Sequence, residues 1–323
     1  MMNIVYAADN NFAEQLGISM LSLLKNNTEC DDIRIYILDG GISEENKASL
    51  CATAEKYGRN AVFLDSAHLL NGDMKQQRGS LSTFSRLYMG RLLPRDINKA
   101  LYLDCDLLVL KNIEELYDSD INGYYCAGVG DCVSEAHLKA IGLEGKSNYF
   151  NAGVLLINLK MWREENAEKQ FEEFSRRYSN DVLYADQGII NGVLSSRSLK
   201  LPPEYNCYTA MYDFTYKDLM TFRKPVEYYS ETEIESAKND PAIVHFTTSF
   251  LSLRPWVEGC GHPYAEEWQK YKSMSPWATV LPEKDKRSGK KRFAVMAYKL
   301  LPNSLAVGIA GILHSLVIPM LKR

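Results

Sequence analysis

Two aspartates, Asp104 and Asp106, are the side chains whose spacing most clearly suggests chemistry. They directly follow the apolar run 100–103. If that run is a strand, residues two apart point to the same face, so both carboxylates would lie side by side. Adjacent carboxylates repel unless a cation lies between them, and Mg²⁺ or Mn²⁺ completes such a shell with substrate phosphates. The pair therefore predicts a divalent metal site that serves a phosphate-bearing substrate, while Cys105 faces away and packs.

The Asp-x-Asp spacing is weak by itself. The chain has 18 aspartates, so composition alone predicts about one such pair by chance. A second pair, Asp118 and Asp120, lies in a polar turn and is interpreted as solvated surface. Only the first pair follows a buried strand, which is why it is the metal candidate.

Two later residues extend this hypothesis. His245 ends the apolar run 242–244, and a lone histidine on a strand is more often structural. If it joins Asp104 and Asp106, the mixed nitrogen and oxygen shell favours Mn²⁺ over Mg²⁺. Arg254 is either a bidentate ligand for a diphosphate or a surface arginine.

Short β-rich runs alternate with helical patterns over the first 200 residues, which predicts an α/β fold with a mostly parallel sheet and helices on both faces. In such sheets ligands bind beyond the carboxyl ends of the strands. Strands are predicted at 3–7, 33–38, 61–64, 99–103, 126–129 and 153–158, and helices at 12–25, 43–56, 168–178 and 186–194.

The first strand is followed by Ala7, Asp9 and Asn11, without the G-x-G-x-x-G of a dinucleotide site. Small alanines would let a base or ribose approach the backbone, whereas the alternative is a turn with a helix N-cap. Asp186 and Gln187 begin a predicted helix, where simple N-terminal helix chemistry is the alternative. The polar stretch 72–82 is either a mobile lid or only a loop.

The near-neutral charge of −4 conceals an asymmetry. Residues 284–323 carry nine basic side chains and one acid, and residues 1–283 carry 28 basic and 40 acidic ones. This distribution argues against a nucleic-acid partner. Seven scattered cysteines without C-x-x-C predict a reducing compartment and neither disulfides nor structural zinc. The N-terminus is not a signal peptide, so a cytoplasmic location is expected.

The C-terminal segment has the pattern of a membrane-associating tail. Six basic residues crowd positions 284–292, and 300–321 carries no charge. Pro302, Asn303 and Pro319 are expected to interrupt the helix and leave 305–318, which is short for a span of ~20 residues. We therefore expect a globular domain at 1–283 and a tail at 284–323 that lies on the inner face of the membrane as an interfacial or re-entrant segment. The alternatives are a helix docked on the protein, an oligomer interface and a single span.

Six stretches, taken in chain order, together resemble the family 8 retaining glycosyltransferases, the group of the lipooligosaccharide galactosyltransferases and glycogenin. The resemblance covers roughly residues 3–277, and its collinear order makes it more specific than any one motif. The stretches are 4–9, 85–88, 100–106, 149–159, 184–191 and 201–206.

This resemblance implies a GT-A fold and transfer of a hexose from UDP-galactose or UDP-glucose, with retention, to a saccharide or lipid-linked acceptor. It matches Asp104, Asp106 and His245 to Mn²⁺ ligands, with Mg²⁺ possible. The remaining matches are Ala7, Asp9 and Asn11 at the nucleotide, Arg86, Asp131, Asn151 and Ala152 around the donor, and Asp186 and Gln187 at the reacting sugar.

One stretch departs from the family pattern. Residues 245–256 are longer than the usual turn and lack its glycine, and Arg254 is expected to replace the phosphate-binding lysine. Gln187 is a poor nucleophile, so attack on the same face as the departing phosphate is expected. The rival hypothesis is a degenerate relative that binds a nucleotide sugar or a partner enzyme without turnover.

Overall fold

A computed structural model describes residues 1–70, 84–143, 148–178 and 185–320. The polar stretch 72–82, interpreted as a lid or a loop, lies outside these residues. The ten described strands are β1 (Met2–Ala8), β2 (Ile33–Asp39), β3 (Ala61–Asp65), β4 (Lys99–Leu103), β5 (Leu107–Val109), β6 (Cys126–Gly130), β7 (Phe150–Asn158), β8 (Ser198–Leu201), β9 (Cys207–Tyr208) and β10 (Ile243–His245).

Seven strands form the main sheet in the order β3-β2-β1-β4-β7-β6-β8, and β5-β10-β9 form a small second sheet. Only β7 runs against its neighbours β4 and β6 in the main sheet; the other pairings are parallel. The carboxyl ends of β1, β4 and β6 therefore share one edge with the amino end of β7. This arrangement confirms the predicted α/β fold.

Helices cover both faces of the main sheet because alternate strand residues point to opposite sides. Along β1, Ile4 and Tyr6 belong to one apolar core, and Val5 and Ala7 belong to the other. The described helices of five or more residues are α1 (Ala13–Asn26), α2 (Glu44–Glu55), α3 (Glu114–Asp118), α4 (Glu135–Ala140), α5 (Leu159–Glu164), α6 (Ala167–Tyr178), α7 (Ala185–Leu194), α8 (Thr209–Asp213), α9 (Tyr216–Arg223), α10 (Glu231–Asn239), α11 (Ala265–Ser273), α12 (Gly289–Leu300) and α13 (Asn303–Ile312).

The C-terminal helix is longer than the sequence predicted. It starts at Asn303 and continues from α13 through a π-helical turn, Leu313–Val317, into a last turn, Ile318–Met320. Pro319 does not break it. A proline has no N–H for the carbonyl four residues earlier, and that carbonyl, of Ser315, instead accepts the Ser134 hydroxyl at 2.7 Å.

One side of this C-terminal helix packs on the rest of the protein, and the other side is exposed. Val307, Gly311, Ser315 and Pro319 are buried at every fourth position, and Ala306 is buried beside the first of them. The opposite side carries large apolar side chains. By length and composition, Asn303–Met320 is the one helix among the described residues that is long enough to cross a membrane.

Candidate active site

The two sheets meet at the Asp104–Asp106 segment, which leaves β4 and enters β5. The Asp104 N–H donates to the Gly153 carbonyl at 2.8 Å, so the first aspartate is fixed to the start of β7. The Phe246 N–H donates to the Asp106 carbonyl at 2.8 Å, which fixes the second aspartate beside β10. His245 ends β10, and its side chain therefore faces both carboxylates.

These three side chains form a cluster suited to a cation. His245 Nε2 lies 3.1 Å from Asp106 Oδ1 and 3.6 Å from Asp104 Oδ2. One possible ligand atom from each residue lies within 4.8 Å of the other two. The second pair, Asp118 and Asp120, is exposed as expected, and Cys105 packs with its Sγ 3.2 Å from the Ala7 carbonyl oxygen.

A chain of hydrogen bonds fixes the tautomer of His245. The Gly153 N–H donates to Asn151 Oδ1 at 3.0 Å, and Asn206 Nδ2 donates to the same oxygen at 2.9 Å. Asn206 Oδ1 is then the acceptor that lies 3.0 Å from His245 Nδ1. Nδ1 consequently carries a proton, which leaves Nε2 as the nitrogen that faces the carboxylates and would bind a cation.

Gly153 lets the backbone of β7 pass close to this cluster. A Cβ at this position would lie 2.1 Å from His245 Cε1 and 2.9 Å from Asp104 Oδ2. Any larger residue would displace the candidate ligands, so the site depends on this glycine.

Arg254 reaches the cluster despite the long turn that precedes it. Its Nη2 lies 2.8 Å from Asp106 Oδ2 and donates to Thr248 Oγ1 at 3.0 Å. Burial raises the pKa of Asp106, but Arg254 and His245 outweigh that effect and lower it from 3.8 to about 2. Asp106 is therefore an ionised carboxylate at neutral pH, and a guanidinium lies directly beside it.

Arg86 joins two carboxylates of the site, those of Asp104 and Asp186. It is buried, with Nη2 2.8 Å from Asp104 Oδ1 and Nε 2.7 Å from Asp186 Oδ2. Its Nη1 donates to the Ala152 carbonyl at 2.7 Å, and its guanidinium lies over the Tyr102 ring. A planar guanidinium with five N–H donors suits this position, because it contacts three segments at once.

Asp186 and Gln187 enter the site from the first turn of α7. Burial raises the pKa of Asp186 from 3.8 to about 6, although Arg86 acts in the opposite direction. The Gln187 carboxamide is held at both ends. Its Oε1 accepts the Ala152 N–H at 3.2 Å, and its Nε2 donates to Asp131 Oδ2 at 2.9 Å.

A cavity of about 470 Å³ joins these groups. The sequence-predicted residues in its lining are Arg86, Asp104, Asp106, Asp131, Asn151, Ala152, Asp186, Gln187, His245 and Arg254.

Ala7, Asp9 and Asn11 do not line this cavity. They lie beside it along the same sheet edge, because β1 pairs with β4. Asp9 Oδ1 accepts the Asn11 N–H at 2.9 Å, as the capping interpretation predicts. A role in nucleotide binding stays a prediction for these three residues.

Sequence reasoning missed Asn206, Gly153, Tyr102 and Arg223 as parts of the site. Asn206 belongs to one of the stretches that carry the family resemblance, and this was the one available signal for it. Arg223 ends α9 and lines the cavity beside Tyr208. Its place depends on tertiary packing that no local pattern reveals.

The residues present fit a divalent cation. Two carboxylates and an imidazole nitrogen with a fixed tautomer converge, and the glycine beside them keeps the space open. This donor set suits Mn²⁺ or Mg²⁺, and the nitrogen favours Mn²⁺. Asp104, Asp106 and His245 are the residues that would hold it.

Comparison with known proteins assigns the family. Residues 3–260 match the sequence profile of Glycosyl transferase family 8. The chain belongs to glycosyl transferase family 8. As a member of that family it is an enzyme that transfers sugars.

Two family relatives match over most of the chain. General stress protein A of Bacillus subtilis (strain 168) is 29% identical over 283 residues, which cover 86% of this chain and 96% of the relative. A lipopolysaccharide 1,2-glucosyltransferase of Escherichia coli (strain K12) is 25% identical over 291 residues, or 87% of this chain and 80% of the relative.

A solved structure of the family shows the same fold. The galactosyltransferase LgtC in complex with donor and acceptor sugar analogues superimposes with a TM-score of 0.73 at 29% identity. The match covers 87% of this chain and 98% of LgtC. The main sheet and its helices are thus the GT-A fold that the sequence predicted.

Proposed function

We propose that this enzyme transfers galactose or glucose from a UDP-sugar to a saccharide or lipid-linked acceptor of a cell-surface glycan, with retention of anomeric configuration. The observation that carries the proposal is the convergence of Asp104, Asp106 and His245 beside Arg254 in one cavity. Related enzymes named for galactosyl transfer and lipopolysaccharide glucosyl transfer support the choice of hexose and acceptor class.

Asp104, Asp106 and His245 would hold Mn²⁺, and a bound cation would supply positive charge to the leaving diphosphate. Arg254 adds a second, fixed positive charge at that place. Its guanidinium lies 2.8 Å from Asp106 and over the Trp256 ring, so its charge is held directly beside the proposed cation site.

The contacts of the nearby groups support attack on the same face as the leaving group. Asp186 is committed to its ion pair with Arg86, so it acts by positioning Arg86 and not as a nucleophile. Gln187 has an amide oxygen, a poor nucleophile, that already accepts the Ala152 N–H. The phosphate that departs is then the base that accepts the proton of the acceptor hydroxyl.

Replacement of Gln187 by alanine tests this route. We expect slower turnover with measurable residual activity, because the side chain only contributes a dipole and a contact to Asp131. Complete loss of transfer, with a sugar covalently trapped on another residue in mass spectrometry, would refute same-face attack.

UDP release tests the overall reaction. The full chain is incubated with UDP-galactose or UDP-glucose after chelation, with and without added Mn²⁺, and the anomeric configuration of the product is read by NMR. We expect one donor to be used, release to require the cation, and retention in the product. Release that is equal after chelation contradicts the cation assignment, and no release from either donor contradicts the proposed donor.

We also propose that the exposed side of the C-terminal helix lies in the surface of an anionic membrane, on the cytoplasmic side. Of the eighteen large apolar side chains that are exposed among the described residues, eleven lie between Phe293 and Met320. Basic residues Lys290, Lys291 and Arg292 adjoin them in α12. An apolar face flanked by basic side chains is typical of a helix in the membrane plane.

Two observations refine the tail hypothesis. The Ser315 and Gly311 side of the helix is packed on the protein, so a single span would have to give up that packing. Asp285 forms ion pairs with Arg287 and Arg292, which reduces the positive charge of the basic segment. The apolar side chains should therefore contribute more to membrane binding than charge does.

Vesicle sedimentation of the full chain tests membrane binding. A triple variant, Leu305→Ser, Ile309→Ser and Leu313→Ser, removes exposed apolar groups without touching the packed side. We expect loss of recovery with phosphatidylserine-containing vesicles, whereas Val62→Ser, at another exposed apolar position, should sediment as wild type does. Equal recovery of the triple variant and wild type would contradict the proposal.

A further inference from the structure

The packed side of the C-terminal helix contacts two segments that line the active site. The Ser315 hydroxyl lies 2.7 Å from the Phe222 carbonyl oxygen and 2.9 Å from that of Arg223. These carbonyls end α9, where a helix leaves its last C=O groups without intrahelical donors. Ser315 is completely buried, so it fixes the last residue of α9 to the C-terminal helix.

The same residue also fixes the segment that follows β6. The Ser134 hydroxyl donates to the Ser315 carbonyl at 2.7 Å. Ser134 lies three residues after Asp131, which binds Gln187. One residue of the C-terminal helix thus ties together the segment that carries Asp131 and the helix that ends in Arg223.

A third contact reaches the Arg223 side chain itself. His314 Nε2 lies 3.3 Å from Arg223 Nη1, and because an arginine only donates, the imidazole is the acceptor. The His314 ring packs on Phe222 and stacks with His137. Burial lowers the pKa of His314 from 6.5 to about 3, with Arg223 and His137 adding to the effect. A neutral imidazole, able to accept this hydrogen bond, is therefore present at physiological pH.

On its other side Arg223 faces the active-site cavity. It lines the same space as Asp104, Asp106, Arg254 and His245. Its charge also reaches Cys132, since burial raises the pKa of that thiol and Arg223 acts to lower it. Guanidinium groups bind phosphates bidentately and keep their charge at every relevant pH.

We propose that Arg223 binds the diphosphate of the nucleotide sugar and that the C-terminal helix positions it for this role through His314 and Ser315. The segment that carries the exposed apolar surface is then also a support of the donor site. This inference rests on the proposed UDP-sugar donor, and it adds a residue and a structural element that neither the family resemblance nor the metal cluster required.

Calorimetric titration of the full chain with UDP in Mn²⁺ tests the inference without the need for turnover. We expect Arg223→Ala to weaken UDP binding about tenfold, the scale of a lost charge-assisted contact, and Arg223→Lys to restore part of it. His314→Phe, which keeps a ring against Phe222, and Ser315→Ala should each weaken binding about threefold. Ser304→Ala, at an exposed position of the same helix, is the matched control and should bind as wild type does.

A double-mutant cycle separates positioning from general loss of stability. In the Arg223→Ala background, His314→Phe and Ser315→Ala should weaken UDP binding no further, because their effect passes through the arginine. If instead their effects multiply with that of Arg223→Ala, or if Arg223→Ala binds UDP as wild type does, the inference is wrong. A wild-type chain that binds no UDP contradicts the proposed function itself, and a chain that binds UDP without transfer contradicts only the reaction.

Discussion

The metal cluster and the C-terminal helix are both held against the GT-A core, but by different kinds of contact. Around His245 each contact is a directed polar bond, from Gly153 through Asn151 and Asn206 to the imidazole. Along the helix the contact depends on small residues, Ala306, Gly311 and Ser315, that let two backbones come close. Substitutions that change charge or the His245 tautomer should therefore have the larger effects at the metal cluster, and substitutions that change side-chain volume should have the larger effects along the helix.

The largest effect is expected from Asp106→Asn. It removes a cluster carboxylate and the ion pair with Arg254, and should lower transfer by more than the roughly 10–100-fold that loss of an outer partner costs a metal site. The matched control is Asp118→Asn in the exposed second pair. The assay is UDP release over a range of Mn²⁺ concentrations, and equal rates for the two variants would remove Asp106 from the cation site.

Asn206→Ala should have the next largest effect, because it frees the His245 ring without removing a ligand. We expect about 10–100-fold loss in Mn²⁺ affinity or activity. Asn206→Asp keeps an acceptor for Nδ1 and should retain more of the affinity. The readout is the Mn²⁺ concentration at half-maximal rate. A wild-type value in the alanine variant would show that the hydrogen-bond chain does not orient His245.

Gly311→Val tests whether side-chain volume limits the contact between the C-terminal helix and α9. A Cβ there would lie 2.5 Å from the Thr221 carbonyl oxygen and 3.1 Å from Phe222 Cα, so the free energy of unfolding should fall by about 1–3 kcal/mol. Gly308 lies in the same helix with nothing within 4 Å of its Cβ position. Gly308→Ala should therefore raise the free energy of unfolding by about 0.5–1 kcal/mol. Denaturant unfolding measures both, and equal changes would show that the packing is loose.

The smallest effect concerns pH. The pKa of His314 is lowered in the folded state to about 3, so the unfolded chain binds the proton first. Its contribution to stability is complete above pH ~6.5 and is lost as pH falls, with a slope of at most about 1.4 kcal/mol per pH unit. In His314→Phe the free energy of unfolding should fall less steeply between pH 7 and 5. His262, with a pKa lowered to about 4, should still contribute its own pH dependence. An unchanged slope would mean that His314 is not buried in solution.

Periodicity predicted six of the seven strands of the main sheet and missed the four-residue β8. The strand 99–103 was predicted with the bounds that β4 has, since five apolar or amphipathic residues ended by two acids give a clear signal. The three-residue β5 and the two-residue β9 carry too few residues for any pattern. The predicted end of the C-terminal helix was wrong. The Ser134 hydroxyl, 185 positions before Pro319, donates to the Ser315 carbonyl, which the proline leaves without an N–H donor.

The cluster itself was within reach of sequence reasoning, whereas its supports were not. Asp104 and Asp106 are adjacent to a strand, and the family resemblance added His245. Arg86 was expected near the donor sugar, but its bonds to Asp104, Asp186 and Ala152 join segments 18 to 100 positions away. Such partners depend on strand order, which local spacing does not encode.

The position of Asp104–Asp106 between the two sheets links cation binding to the cohesion of the whole domain. A ligand set drawn from the β4–β5 connection and from β10 would make an ion a cross-link between the two sheets. If the folded chain alone binds the ion, free cation at a hundredfold excess over its dissociation constant adds about 2.7 kcal/mol to the free energy of unfolding. The thermal midpoint should then rise with manganese concentration, so the cell's supply of this ion would govern the enzyme's lifetime as well as its rate.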